Sequence, residues 1–141
     1  MRLGGLIEVA GDALARPAGQ SSARWQVLAA AENGPVTVAG IARLLGLARQ
    51  SVQRVADLLA REGLIKYDDN PGHLRAKLLR LLPRGEVALA KIQTAQRAWA
   101  DDLGASLDPG QLAGASDVLD RVIGELTRRQ AAAAGSAADD D

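Results

Sequence analysis

Along most of this chain the apolar residues recur three and four positions apart, which is the spacing of one face of a helix. The clearest stripe consists of Val52, Val55, Ala56 and Leu59. Similar stripes recur on both sides of it, and Gly and Pro interrupt them at intervals. The pattern predicts helices over residues 3–15, 23–33, 38–45, 49–62, 83–105 and 110–130. The chain is therefore expected to fold as a mainly α protein.

Two short segments depart from the helical pattern and predict a β-hairpin. Leu64–Tyr67 and Lys77–Leu81 are strand candidates, and the stretch "DDNPG" between them supplies turn chemistry. Before the hairpin, Gly46 suits a tight turn between the helices over 38–45 and 49–62. Two helices joined by a short turn and followed by a hairpin define a winged helix-turn-helix, with a two-stranded hairpin as its wing.

The amino-acid composition excludes several kinds of chemistry. The chain has no Cys and one His, so disulfides, thiolate metal sites and Cys nucleophiles are excluded, and no metal or other cofactor is expected. It shows no Ser–His–Asp arrangement, glycine-rich phosphate loop or paired carboxylates in an apolar setting, so we do not expect an enzyme. No apolar run approaches the roughly 20 residues of a membrane span. The N-terminus makes a poor signal peptide, so a cytoplasmic protein without membrane contact is expected.

The charges balance over the whole chain but not along it. The sequence has 17 basic and 17 acidic residues, yet residues 36–84 hold nine Lys and Arg against four Asp and Glu. The polar face of the helix over 49–62 consists of Arg49, Gln50, Gln53 and Arg54. On an isolated helix such a face is more often merely solvated. Because this helix follows a turn and precedes a basic hairpin, the face indicates a nucleic-acid-binding surface.

Three segments, in this order, resemble the MarR (multiple antibiotic resistance regulator) family: "ARWQVLAA", "VAGIARLLGLARQSVQRVADLLAREGLI" and "LRAKLLRLLPRGE". The similarity covers residue 22 to about residue 90. It implies a homodimeric transcriptional regulator, acting as a repressor, that binds a pseudo-palindromic operator on double-stranded DNA. It also implies an N-terminal dimerisation helix over 1–20, a DNA-binding domain over 21–84 and long C-terminal dimerisation helices over 85–130. The composition of residues 131–141 predicts a disordered tail.

The resemblance assigns DNA contacts to the helix after the turn and to the wing. It places the helix over 49–62 in the major groove and Arg75 at the wing tip, beside the minor groove. Gln50 and Gln53 suit the N6 and N7 edge of adenine, while Arg54 suits guanine or a phosphate. The predicted DNA-binding residues are Thr37, Arg49, Gln50, Ser51, Gln53, Arg54, His73, Arg75 and Lys77. Further phosphate contacts are expected from Arg43, Arg61 and Arg80. The sequence leaves open which of these side chains contact bases.

Three positions depart from the family pattern. Ala48 stands where a serine often caps the DNA-reading helix, His73 where an aspartate often precedes the wing arginine, and Leu82 where a threonine usually caps the long helix. A lost cap costs about 1 kcal/mol. A charged His73 would attract phosphates, so we expect DNA affinity to rise as the solution becomes acidic. The departures also leave a second function open, a winged-helix protein-interaction module that has lost DNA binding.

The two tryptophans have two alternative roles. The chain has no Phe, so Trp25 and Trp99 supply bulk for an aliphatic core or a dimer contact. Alternatively, they line an apolar cleft between the DNA-binding and dimerisation layers. The resemblance implies that a small aromatic effector bound in such a cleft would release the DNA.

Overall fold

The computed structural model describes residues 2–136, with side chains described as far as residue 132. The elements in chain order are α1 (Arg2–Ala15), a 3-10 turn (Arg16–Ala18), α2 (Ser22–Ala30), β1 (Val36–Thr37), α3 (Val38–Leu45), α4 (Arg49–Arg61), β2 (Ile65–Asp68), β3 (Leu78–Leu81), α5 (Pro83–Gly104) and α6 (Pro109–Ser136). The predicted fold class is confirmed. All six predicted helices and both hairpin strands are present, and their ends lie within a few residues of the predicted ends, with one exception.

The exception is the last helix. α6 continues to Ser136, past the predicted end at residue 130 and through the alanine run over 131–134. Alanine has the highest helix propensity, so this run favours continuation of the helix over the disordered tail expected for residues 131–141. Residues 137–141 of that tail lie outside the described residues.

The sheet contains one strand more than the predicted hairpin. β2 and β3 pair antiparallel, with Tyr67 opposite Leu79. β1 consists only of Val36 and Thr37 and pairs with the other edge of β3, so the strand order is β1–β3–β2. Two residues directly before a helix are too few to show an alternating pattern, which is why the sequence did not predict β1.

The chain forms two compact units, and the first ends at Ala98. Its core is aliphatic and forms where α2, α3 and α4 pack together with the sheet. The largest fully buried residues of this unit are Val27, Leu28, Ile41, Val52, Leu59, Ile65, Leu79 and Ile92. Because this core buries one face of α4, the opposite face, with Gln50 and Arg54, is left exposed.

The second unit begins at Trp99 and contains the end of α5 together with α6. The apolar stripe of α6 is exposed in the single chain, where Leu119 is 59% exposed and Leu126 is 54% exposed. Other exposed apolar residues of α6 are Leu112, Val118, Val122 and Ile123. An exposed apolar stripe of this length is typical of a surface that contacts another protein chain.

The first turn of α5 lies directly against the segment that follows α4. Gly85 is buried, and a Cβ atom at this position would lie 2.2 Å from the backbone oxygen of Leu64. Leu82 donates its N–H to the same oxygen at 2.9 Å. Arg84 Nη1 donates to the backbone oxygen of Glu62, also at 2.9 Å. The close approach of the two backbones therefore requires a glycine at position 85.

Candidate nucleic-acid interface

α3 and α4 form a helix-turn-helix. One residue at each end of α3 determines where that helix begins and where it ends. The Thr37 hydroxyl caps α3 by accepting a hydrogen bond from the Gly40 N–H at 3.0 Å. α3 ends at Gly46, which has a left-handed conformation with φ of 65°. The chain then turns and enters α4 at Arg49.

α4 begins without a side-chain cap. Ala48 occupies the position before the helix in an extended conformation and makes no capping hydrogen bond from its side chain. The lost cap predicted from the sequence at Ala48 is therefore confirmed. The positive end of the α4 dipole is consequently open to an anion, such as a phosphate of a nucleic acid.

Restoring this cap should stabilise the protein. We expect Ala48→Ser to raise the free energy of unfolding by about 1 kcal/mol, because the serine oxygen would accept a hydrogen bond from an amide in the first turn of α4. Urea unfolding followed by circular dichroism measures the change. The matched control is Ala113→Ser, in the interior of α6, which should give no gain. An equal gain in both variants would contradict the capping explanation.

A groove between α4 and the wing brings together five of the nine predicted DNA-binding residues. Its volume is about 260 Å³. The five predicted residues that line it are Thr37, Arg49, Gln53, Arg75 and Lys77. The remaining lining residues are Val38, Ala39, Tyr67 and Ala76. We call this the cationic groove, because three of its lining side chains are positively charged and favour an anionic ligand.

The other four predicted residues are exposed outside the cationic groove. Gln50, Ser51 and Arg54 lie on the exposed face of α4, and His73 lies in the wing loop. Two backbone hydrogen bonds that involve His73, each 3.0 Å long, hold that loop in a compact turn. Because all four residues are exposed, their side chains are accessible to a ligand.

Asp57 and Tyr67, which the sequence did not single out as site residues, connect α4 to the wing. Gln53 Nε2 donates hydrogen bonds to Asp57 Oδ1 at 2.8 Å and to the Tyr67 hydroxyl oxygen at 2.9 Å. The Tyr67 hydroxyl in turn donates to Asp57 Oδ1 at 2.7 Å. Burial, together with the bond to Asp57, raises the pKa of Tyr67 well above its ordinary value. The only signal of this network in the sequence is that Gln53 and Asp57 are four residues apart on one helix.

Arg80 does not have the free guanidinium group that the sequence suggested. Its Nε donates to Asp68 Oδ2 at 2.7 Å, and Lys66 Nζ lies 3.1 Å from Asp68 Oδ1. The hydrogen bonds from Arg80 and then from Lys66 hold the pKa of Asp68 below its ordinary value. Arg80 and Lys66 share this one carboxylate, so a phosphate contact from Arg80 would have to replace its ion pair with Asp68.

The structure places the two tryptophans in different units. Trp25 lines a largely apolar cavity of about 460 Å³ in the first unit. Ile7, Ala29 and Leu45 also line this cavity. Trp99 is 38% exposed and begins the second unit. It is not among the residues that line the cavity, so of the two predicted effector contacts only Trp25 borders this space.

Two features are absent from the part of the chain that the structure describes. None of the helices within residues 2–136 is both long and apolar enough to cross a membrane. In the same range, no group of three or more His, Cys, Asp or Glu side chains is placed to hold a metal ion.

A helix-turn-helix, a hairpin wing and a cationic groove between them define the class of winged helix-turn-helix proteins. The sequence model of the MarR family matches residues 19–76. An uncharacterised protein of Mycobacterium tuberculosis, Rv2011c, is 36% identical over 121 residues, which cover 86% of this chain and 85% of that protein. The chain belongs to the MarR family, which confirms the resemblance seen in the sequence.

Solved structures of MarR-type regulators share this fold. The MarR family transcription regulator SP03579 has a TM-score of 0.80 at 23% identity, over 90% of this chain and 87% of that chain. CouR from Rhodococcus jostii RHA1, bound to p-coumaroyl-CoA, has a TM-score of 0.77 at 21% identity, over 86% of each chain. The M. tuberculosis regulator MosR, in complex with DNA, has a TM-score of 0.71 at 22% identity, over 89% of this chain and 92% of that chain.

Proposed function

We propose that this chain is a homodimeric regulator that binds double-stranded DNA through α4 and the wing, and that it represses transcription in the cytoplasm. The observation that carries the proposal is the cationic groove, in which Arg49 and Gln53 of α4 lie beside Arg75 and Lys77 of the wing. The similar regulator MosR was solved in complex with DNA, which supports the same kind of partner here.

In this proposal α4 and the wing make different kinds of contact. An α-helix fits the major groove, where Gln50 and Arg54 on the exposed face of α4 would meet base edges. The uncapped start of α4 and the Arg49 side chain would bind phosphates and orient the helix. Arg75 on the wing would approach the neighbouring minor groove, where negative potential is concentrated in narrow segments.

The exposed apolar stripe of α6 supports a homodimer. α1 adds further exposed apolar side chains, among them Leu3, which is 68% exposed, and Val9, which is 69% exposed. Burial of such surfaces between two copies would relate them by a two-fold axis. The two α4 helices would then read a pseudo-palindrome whose half-sites are about one helical turn apart. A dimer bound across a promoter would block it, which is why we propose repression.

Selection of bound sequences from a random pool of duplex DNA tests the proposal. We expect the purified protein to enrich a pseudo-palindrome with two half-sites and to bind it with an affinity that falls steeply as salt rises. If a folded dimer enriches no sequence even at low salt, the proposal is wrong. That result would favour the alternative function, a winged-helix module that binds another protein.

The salt dependence of DNA binding should distinguish Lys77 from Arg80. We expect Lys77→Ala to weaken binding to all sequences alike and to lower the slope of log affinity against log salt by about 2, because a symmetric dimer loses two phosphate contacts. Mobility-shift titrations at several salt concentrations give the slope. Arg80→Ala is the control, since Arg80 is paired with Asp68, and its slope should not change. Equal changes in both variants would contradict this assignment.

The cavity beside Trp25 supports a small aromatic effector. Its lining is largely apolar, as in most small-molecule sites, and the similar regulator CouR was solved bound to p-coumaroyl-CoA. We expect aromatic carboxylates or phenols to change the fluorescence of Trp99→Phe, in which Trp25 is the remaining tryptophan. A flat response of this variant across a broad panel would contradict the proposal. A response that persists in Trp25→Phe would instead support the predicted role of Trp99.

A further inference from the structure

One side chain at the base of the wing is hydrogen-bonded directly to α4. The Tyr67 hydroxyl donates to Asp57 Oδ1 at 2.7 Å, and the proton must come from Tyr67 because an ionised carboxylate only accepts hydrogen bonds. Gln53 Nε2 lies 2.9 Å from the same hydroxyl oxygen. Among the described residues, these two are the only side-chain hydrogen bonds that join α4 to the hairpin over residues 65–81. We call the bond between Tyr67 and Asp57 the wing latch.

The wing latch lies next to the point where the two strands of the hairpin separate. Asp68 and Leu78 are the last paired residues, so residues 69–77 lie in the wing loop. Two backbone hydrogen bonds hold this loop in its own turn, but neither of them connects it to α4. The position of the wing loop relative to α4 therefore depends on how the hairpin is attached at its base.

Tyr67 also lines the cationic groove, whose two walls come from different elements. Arg49 belongs to α4, whereas Arg75 and Lys77 belong to the wing loop, and Tyr67 lines the groove with all three. The Tyr67 backbone is part of β2, while its hydroxyl is bonded to α4. Its ring packs against the hydrophobic core, which restricts its rotation. Tyr67 is therefore a spacer of fixed length between β2 and α4 at the groove.

We propose that Tyr67 and Asp57 are positioning residues that hold the wing at the distance from α4 at which both elements bind one duplex. Arg75 and Lys77 are then already in place when α4 binds, and a preorganised contact costs less ordering on binding. This inference rests on the proposed DNA-binding function. It gives Asp57 a role as a hydrogen-bond acceptor, although its negative charge alone would repel the DNA backbone.

Spin-label distances test the latch without DNA. The chain has no Cys, so Leu58→Cys on α4 and Leu74→Cys in the wing loop provide the only two labelling sites. Both positions are exposed, Leu58 at 41% and Leu74 at 97%. We expect one narrow distance distribution in the labelled protein and a broader one after Tyr67→Phe or Asp57→Ala, because each substitution removes the latch. Circular dichroism should show that both variants keep their helices.

Asp57→Asn separates the acceptor role of Asp57 from its charge. The asparagine oxygen can still accept the hydrogen bond from Tyr67, whereas alanine cannot. Asp57→Asn should therefore keep the narrow distance distribution. Asp57→Ala should bind DNA about fivefold more weakly than Asp57→Asn, although both variants lose the same charge. Equal DNA affinities of the two variants would show that only the charge of Asp57 matters.

The effect of Tyr67→Phe on DNA affinity should depend on the wing. With the duplex that wild type enriches from the random pool as the probe, we expect Tyr67→Phe to weaken binding about fivefold. In a background that carries Arg75→Ala and Lys77→Ala, the loss should fall below about twofold, because these two wing cations are no longer there to be positioned. In a Gln53→Ala background the full loss should persist. General destabilisation would instead weaken binding equally in every background.

Three results would overturn the inference while leaving DNA binding established. They are an unchanged distance distribution in both Tyr67→Phe and Asp57→Ala, an equal loss of affinity with and without the wing cations, and a loss that disappears in Gln53→Ala. The last result would mean that Tyr67 acts by orienting Gln53. If wild type enriches no sequence, the proposed function fails together with the DNA role of the latch. The label distances are measured without DNA, so they distinguish that failure from the absence of a latch.

Discussion

Leu119→Glu should convert the proposed homodimer into a monomer and lower its affinity for DNA that carries both half-sites by at least about 100-fold. Leu119 lies in the middle of the α6 stripe and is 59% exposed in the single chain. In a two-fold dimer one substitution occurs twice at the same interface, so two carboxylates would be buried among apolar side chains. A monomer carries one α4 helix and loses the gain from engaging two half-sites together.

Sedimentation equilibrium gives the mass of the variant in solution, and a mobility shift gives its DNA affinity. Arg121→Glu is the matched control, because it introduces the same side chain on the far side of α6. This control should remain a dimer, and circular dichroism should show both variants to be folded. A dimeric Leu119→Glu variant would rule out this stripe as the interface, and a monomeric Arg121→Glu variant would show that the effect is not specific to the stripe.

Gly85→Ala should lower the free energy of unfolding by about 3 kcal/mol. The added Cβ atom would lie 2.2 Å from the oxygen of Leu64, and that oxygen belongs to the backbone and cannot rotate away as a side chain would. Relief of the clash would require α5 to move away from β2. That movement would break the hydrogen bond from Leu82 to the same oxygen. Urea unfolding measures the loss.

Gly124→Ala is the control for this substitution. A Cβ atom at position 124 meets no heavy atom of the described residues within 4 Å, apart from its chain neighbours and its own helix backbone. Alanine is favoured over glycine inside a helix, so Gly124→Ala should raise the free energy of unfolding by about 0.5–1 kcal/mol. If Gly85→Ala were equally tolerated, the contact between α5 and Leu64 could not be as close as described.

The helices were predictable because the spacing of apolar residues along the chain indicates which face of each helix is buried. Val52, Ala56 and Leu59 recur at helical intervals, and all three are buried against the core. Gly46 was predicted to end a helix, and it does so with a positive φ. β1 could not be predicted in this way. Its two residues form a strand only because β3 lies beside them, and that arrangement depends on contacts distant in sequence.

The sequence predicted which polar side chains lie at the candidate site, but it did not predict their hydrogen-bond partners. The residue types on α4 and the wing indicated an anionic ligand, and the structure gathers five of the predicted residues around one groove. The bond from Gln53 to Tyr67 spans 14 residues of sequence and that from Arg80 to Asp68 spans 12, so neither has a local signature. Which residues touch DNA stays a prediction.

Because each compact unit contains one tryptophan, fluorescence can measure whether the two units unfold cooperatively. Trp25 belongs to the first unit and Trp99 to the second, and the chain has no other tryptophan and no Phe. Trp99→Phe therefore keeps an emission signal from the first unit alone, and Trp25→Phe keeps one from the second. Denaturation curves of the two variants coincide if the units unfold as one, and they separate if either unit loses its structure before the other.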